Sequence, residues 1–187
     1  MKYLSDVKQF FKKTPVVSTR DIRLIIKNNS YAYLLVHNLI KTGEIRRIKK
    51  GFYTLYDDPM VSVFCFKPAY IGLQNALSIH NIWEQETNVV IITARKVRTE
   101  IKEILGNNIV VHRIKPKLLF GYDLIKYDNF YIPVSDLEKT FLDLIYFNEI
   151  PDKDILRKLR KLISIEKVRQ YLEYYPENIR KKVSKYL

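Results

Sequence analysis

A chain of 187 residues and 22.3 kDa makes one or two small domains, which excludes a repeat array or a large multidomain enzyme. With 47% hydrophobic residues, 14 Tyr, 9 Phe, 5 Gly and 7 Pro it has the apolar mass for a packed core, which excludes a disordered or collagen-like chain. A net charge of +13 and a pI near 9.7 favour polyanionic partners, and no apolar run is long enough to span a bilayer, so a soluble cytoplasmic protein without a membrane partner is expected.

The charge is unevenly placed. Residues 1–56 carry 12 basic and 3 acidic side chains, residues 57–150 carry 10 and 12, and residues 151–187 carry 11 and 5. The acidic, helix-breaking turn Asp57-Asp58-Pro59 sits where the sign changes and reads as a domain boundary. The expected organisation is therefore α+β throughout. An N-terminal winged helix-turn-helix (1–57) is followed by an α+β domain (58–150) and a basic helical C-terminal segment (151–187).

In chain order, Lys2 to Phe11 spaces Tyr3, Leu4, Val7 and Phe10 or Phe11 along one helical stripe. Ser18-Thr19-Arg20-Asp21 has the form of a capping box and opens a short helix through Ile26. After the polar turn Lys27-Asn28-Asn29-Ser30, with Ser30 as N-cap, a third helix from Tyr31 to Thr42 buries Ala32, Leu35, Val36, Leu39 and Ile40 and stops at Gly43. Glu44 to Lys49, the turn Lys50-Gly51 and Phe52 to Tyr56 then read as a basic β-hairpin.

Two short helices, a third helix and a hairpin make a winged helix-turn-helix, whose third helix enters the major groove while the wing lies along the phosphates. The residues placed to reach base edges are Asn29, Ser30, Tyr31, Tyr33 and His37. Lys12, Lys13, Lys41, Arg46, Arg47, Lys49 and Lys50 are placed to neutralise phosphates of double-stranded operator DNA. For Tyr31 and Tyr33, packing against the wing stands as an equal alternative, and for His37 an ordinary surface imidazole does.

Beyond the boundary, Val61 to Phe66 reads as a strand, and Pro68 to Gly72 leads into a helix ending near His80. Asn88 to Thr93, Ile109 to Ile114, Leu118 to Phe120, Tyr122 to Tyr127 and Phe130 to Pro133 read as strands, with Asp128-Asn129 as a turn. Ser135 to Glu138 has the form of a second capping box, before a helix to about Phe147. In the tail, Asp152 or Asp154 and then Ser164 cap amphipathic helices, and Pro176 precedes a last one. These helices either cover the central domain or form a dimer contact.

At three places the chain resembles the AbiEi-type antitoxins and transcriptional regulators of AbiE toxin-antitoxin systems. They are Gly43 to Tyr53, then Tyr70 to Ile82 with the strand from Asn88 to Lys96, and Phe120-Gly121-Tyr122 leading to Val134 through Leu144. The resemblance implies a repressor of its own operon that counteracts a nucleotidyltransferase-type toxin, without requiring a stable complex with it. It implies regulation in the first half and antitoxicity in the second. The basic tail from Lys153 to Leu187 departs from the pattern.

Enzyme chemistry finds little footing, and neither a catalytic set, a metal site nor a cofactor is expected. There is no glycine-rich phosphate loop. Nuclease carboxylates would have to come from Glu84, Glu86 and the Glu-x-Lys of Glu100-Ile101-Lys102, yet Thr99 to Leu105 reads as a helix, where such a motif requires a strand. His80 and His112 stand alone, the single Cys65 reads as a small core residue, and Asp136, Glu138 and Asp143 as ordinary helix carboxylates. Two other functions stay open beside the antitoxin: a regulator whose central domain senses a small molecule, and a Mg²⁺-dependent DNA nuclease.

Overall fold

The computed structural model describes residues 3–84, 88–98 and 100–187, in two compact units: Met1–Cys65 with Glu103–Asn107, and Phe66–Lys102 with Asn108–Leu187. The division falls after Cys65, one short 3₁₀ helix beyond the acidic turn at Asp57.

The first unit runs α1 (Leu4–Lys13), β1 (Val17–Ser18), α2 (Thr19–Ile26), α3 (Asn29–Lys41), β2 (Arg46–Lys49) and β3 (Phe52–Thr54). The capping box on α2 forms: the Asp21 amide donates to the Ser18 hydroxyl, and the Ser18 amide to the Asp21 carboxylate. Lys27, in the left-handed region at φ 56°, then turns the chain so sharply that only Lys27 and Asn28 separate the helices. Asn28, not Ser30, is therefore the N-cap of α3, accepting from the Tyr31 amide at 2.9 Å.

Val7, Phe11, Ile22, Ile26, Leu35 and Leu39 meet in the core of this unit. Ile40 is not among them; at 100° per residue it falls on the flank of the buried stripe and is exposed. The hairpin closes at Gly51, and β1 adds to its other side, giving the antiparallel order β1-β3-β2. A two-residue strand has no alternation to read, so β1 left no trace in the sequence pattern. Val61 to Phe66, expected as a strand, is part of a 3₁₀ helix (Pro59–Phe66). Asp58 starts it by accepting from the Met60 amide, and the Ser62 hydroxyl donates back to the Pro59 carbonyl.

The second unit is built on a mixed sheet in the order β6-β7-β5-β4-β9-β8. Its strands are β4 (Ala69–Ile71), β5 (Val89–Thr93), β6 (Glu100–Ile104), β7 (Asn107–Arg113), β8 (Tyr122–Tyr127) and β9 (Phe130–Ser135). Central β5 is buried along its whole length, as a strand covered on both faces must be, and pairs parallel with β7 and antiparallel with β4. The expected helix at Thr99–Leu105 is strand β6, with Thr99 outside the described residues. Leu105 and Gly106, both at positive φ, make the two-residue turn into β7. Leu118 to Phe120, expected as a strand, instead begins in a 3₁₀ turn (Pro116–Leu118), because Pro116 sets its first residue.

Helix α4 (Leu73–Ile79) follows β4, and α5 (Leu137–Tyr146) follows β9. The N-cap of α5 is Asp136, accepting from the Lys139 amide at 2.7 Å, and not Ser135, which ends β9 with its hydroxyl 2.7 Å from that of Thr140. Helices α6 (Lys153–Leu162), α7 (Ile165–Leu172) and α8 (Glu177–Val183) pack on α5, burying Leu159, Ile163, Val168, Tyr175 and Val183 against Phe141 and Leu144. Asp152 caps α6 and Ser164 caps α7.

The centre of that packing is ionic. Lys139 and Asp143, one turn apart on α5, are both wholly buried and paired. Tyr70 donates to Asp143 at 2.6 Å, and the Tyr175 hydroxyl takes a hydrogen bond from Lys139 at 2.8 Å and donates to Asp143 at 3.2 Å. The rings of Tyr70, Phe120 and Tyr175 surround the ammonium at 5.4–5.5 Å. Burial lowers the pKa of Lys139 and raises those of both phenols. Gly121, at φ 67°, is required here, since a Cβ would sit 2.9 Å from the Tyr171 ring.

Candidate nucleic-acid interface

The first unit presents a helix face with no counterpart in its own core. Opposite the buried residues Ala32, Leu35, Val36 and Leu39, the spacing of α3 turns Ser30, Leu34, His37 and Lys41 outward as one exposed stripe. Asn29 is exposed on the flank of the first turn. That turn contains no acidic side chain, so the positive end of the helix is left uncompensated.

The two tyrosines are anchored, though not by the hairpin. Tyr31 is half-buried and meets Tyr3 of α1 edge-on at 6.2 Å. Tyr33 is 51% exposed and lies under the Arg23 guanidinium of α2 at 5.0 Å, with its hydroxyl bonded to the same arginine. Arg23 thus fixes the ring beside the outward stripe.

Of the basic candidates, Lys12, Lys13, Lys41, Arg47 and Lys50 are exposed and have no ion-pair partner among the described residues. Arg46 is paired with Asp57 on the surface. Lys49 turns inward, donating to the Cys65 carbonyl at 3.0 Å with its ammonium 4.9 Å from the Phe52 ring, so its charge is directed at the protein. Arg20, Arg23 and Lys27, which are not among the expected phosphate contacts, are also exposed, on or just after α2. Their signal in the sequence is the helical period, which turns them away from buried Ile22 and Ile26.

These elements form one continuous run from α1 to just past β3, and that run is where the likeness to known proteins lies. Residues 5–56 match the family of transcriptional regulators described as AbiEi antitoxin. The AbiEi match covers the three helices and the hairpin; the resemblances at Tyr70–Ile82 and Phe120–Leu144 lie outside the matched residues. No curated protein matches the chain. The matched family is one of transcriptional regulators and antitoxins, and the likeness is confined to this run.

In the second unit the other singled-out residues serve packing. His80 bonds the Ser135 carbonyl at 2.8 Å. His112 lies 3.1 Å from Glu149 against Phe147, and burial lowers its pKa although Glu149 opposes the shift. Asp136 and Glu138 share Lys167 at 3.0 Å each; Asp136 also accepts from Tyr171 at 2.8 Å and Glu138 from the Ser164 amide at 2.8 Å, which staples α5 to α7.

Cys65 is buried, and desolvation pushes its thiol up to about 12, too high for a nucleophile. Glu100 and Lys102 lie on a strand after all, but they pair with each other at an exposed edge, and Glu86 lies outside the described residues. Among the described residues no three His, Cys, Asp or Glu side chains gather where they could hold a metal ion, and no helix is long and apolar enough to cross a membrane.

Proposed function

We propose that the protein is a sequence-specific, DNA-binding transcriptional autorepressor and an antitoxin counteracting a nucleotidyltransferase-type toxin. On this reading residues 1–57 act as a winged helix-turn-helix. Helix α3 enters the major groove, β2 and β3 form the wing, and exposed cations meet the phosphates. Asn29, Ser30, Tyr33 and His37 are the base-edge readers; Tyr31 orients α3 through Tyr3. Lys12, Lys13, Lys41, Arg47 and Lys50 neutralise phosphates, with Arg46 joining them once it leaves Asp57, while Lys49 holds the wing. Residues 58–150 carry the antitoxin function, and residues 151–187 close that unit and present a basic surface.

The observation that supports this best is the unfilled outward stripe of α3 on a unit matched by AbiEi regulators and carrying five exposed cations with no ion-pair partner among the described residues. Each neutralised phosphate makes log K fall by about 0.9 per decade of salt. Arg47→Ala with Lys50→Ala should therefore make the salt slope shallower by about 2 in a fluorescence-anisotropy titration against the duplex upstream of its own gene, weakening all sequences alike. An unchanged slope would remove the wing assignment. Co-expression with a neighbouring nucleotidyltransferase should restore growth, and persistent growth arrest would remove the antitoxin assignment.

A further inference from the structure

The stripe that α3 presents is polar at three of its four positions and apolar at one. Leu34 is 55% exposed, with Ser30 one turn before it, His37 one turn after it and Lys41 beyond. A leucine has neither donor nor acceptor, so it gains nothing from phosphate or from the hydrogen-bonding edges of bases. The one apolar group that a base pair shows in the major groove is the C5 methyl of thymine. An apolar protein partner would suit Leu34 equally, but not the setting. The same stripe ends in a lysine, the first turn of α3 has no acidic residue, and residues 1–56 hold 12 basic against 3 acidic side chains. That is complementary to a polyanion.

We propose that Leu34 is a specificity-determining residue that packs on a thymine methyl, so that the preferred site holds a T·A pair facing the middle of α3. This rests on the reading of α3 as the recognition helix. Ser30 and His37, flanking Leu34, then take the hydrogen-bonding groups of the adjacent pairs, and Tyr33, fixed by Arg23, forms the side wall of the contact.

Uracil tests this, because it is thymine without the methyl and leaves every hydrogen bond and phosphate in place. A duplex selected from a randomised pool by the full-length protein is remade with uracil at one thymine at a time. At one position, or at its symmetry mate, the wild type should lose about fourfold in Kd, the value of one buried methyl. Leu34→Ala should bind the thymine and uracil duplexes equally at that position, and Leu34→Met, which keeps an apolar tip, should retain part of the preference.

If no uracil substitution affects the wild type, or if Leu34→Ala keeps the full preference at the sensitive position, the Leu34 contact is overturned while duplex binding stands. If selection yields no preferred sequence at all, sequence-specific reading by α3 fails and this contact fails with it.

Discussion

The two units differ in whether a cation enters the core. In the first unit Lys12, Lys13, Lys41, Arg47 and Lys50 point to solvent, and the core from Val7 to Leu39 buries no charged side chain among the described residues. In the second unit a lysine lies at the centre of the core, wholly buried, held by one aspartate and one tyrosine hydroxyl within a wall of aromatic rings. An exposed charge costs the fold almost nothing and is available to a partner, whereas a buried charge ties its neighbours together and is costly to disturb. The same residue type is thus left available to a partner in one unit and built into the core of the other.

The largest effect that would test this contrast is Asp143→Ala. It strands the Lys139 ammonium in the core, and should lower the stability of the second unit by about 3–5 kcal/mol in urea unfolding. A loss under about 1 kcal/mol would mean that water reaches the pair. Tyr175→Phe removes one hydroxyl that bonds both charges and should cost about 1.5–3 kcal/mol, with Tyr70→Phe similar.

The staple at Glu138 adds a pH-gated effect. Burial raises the pKa of its carboxyl, but hydrogen bonds from the Ser164 amide and Lys167 outweigh that and leave it below the ordinary 4.5. A lowered folded value means that stability is present above about pH 4.5 and is lost as pH falls through the folded pKa. Glu138→Gln should flatten that acid limb, and an unchanged limb would assign it to other carboxylates.

In the first unit, Ser18→Ala should cost about 1 kcal/mol through loss of the capping box, measured in the same unfolding series. Smallest of all, Arg47→Ala with Lys50→Ala should leave stability within about 0.5 kcal/mol while DNA affinity falls. If that pair destabilised the unit instead, its cations would belong to the fold and not to a partner.

Much of the first unit is legible in the sequence. Ser18 and Asp21 stand at capping-box spacing, the apolar residues of α3 recur at helical period, and Gly51 sits where a basic hairpin must turn. Each is a signal confined to a few neighbouring residues. The outward position of Leu34 is legible too, because it falls off the apolar stripe of α3. The sequence did not disclose that Arg23 clasps Tyr33 or that Lys49 turns inward, because each depends on a neighbour from another element.

The second unit was harder to read for the same reason. Glu100 to Ile104 is a strand because β7 is there to receive it, Ser135 closes a strand instead of capping a helix, and nothing local in the sequence marks Lys139 and Asp143 as wholly buried charges. By itself the sequence determined where charge accumulates, which helices form in the first unit and how they are capped, since propensity, capping and periodicity act over a turn or two. Only the tertiary structure decided which lysines face water and which is sealed beneath Tyr175, because burial is set by what the rest of the chain brings alongside.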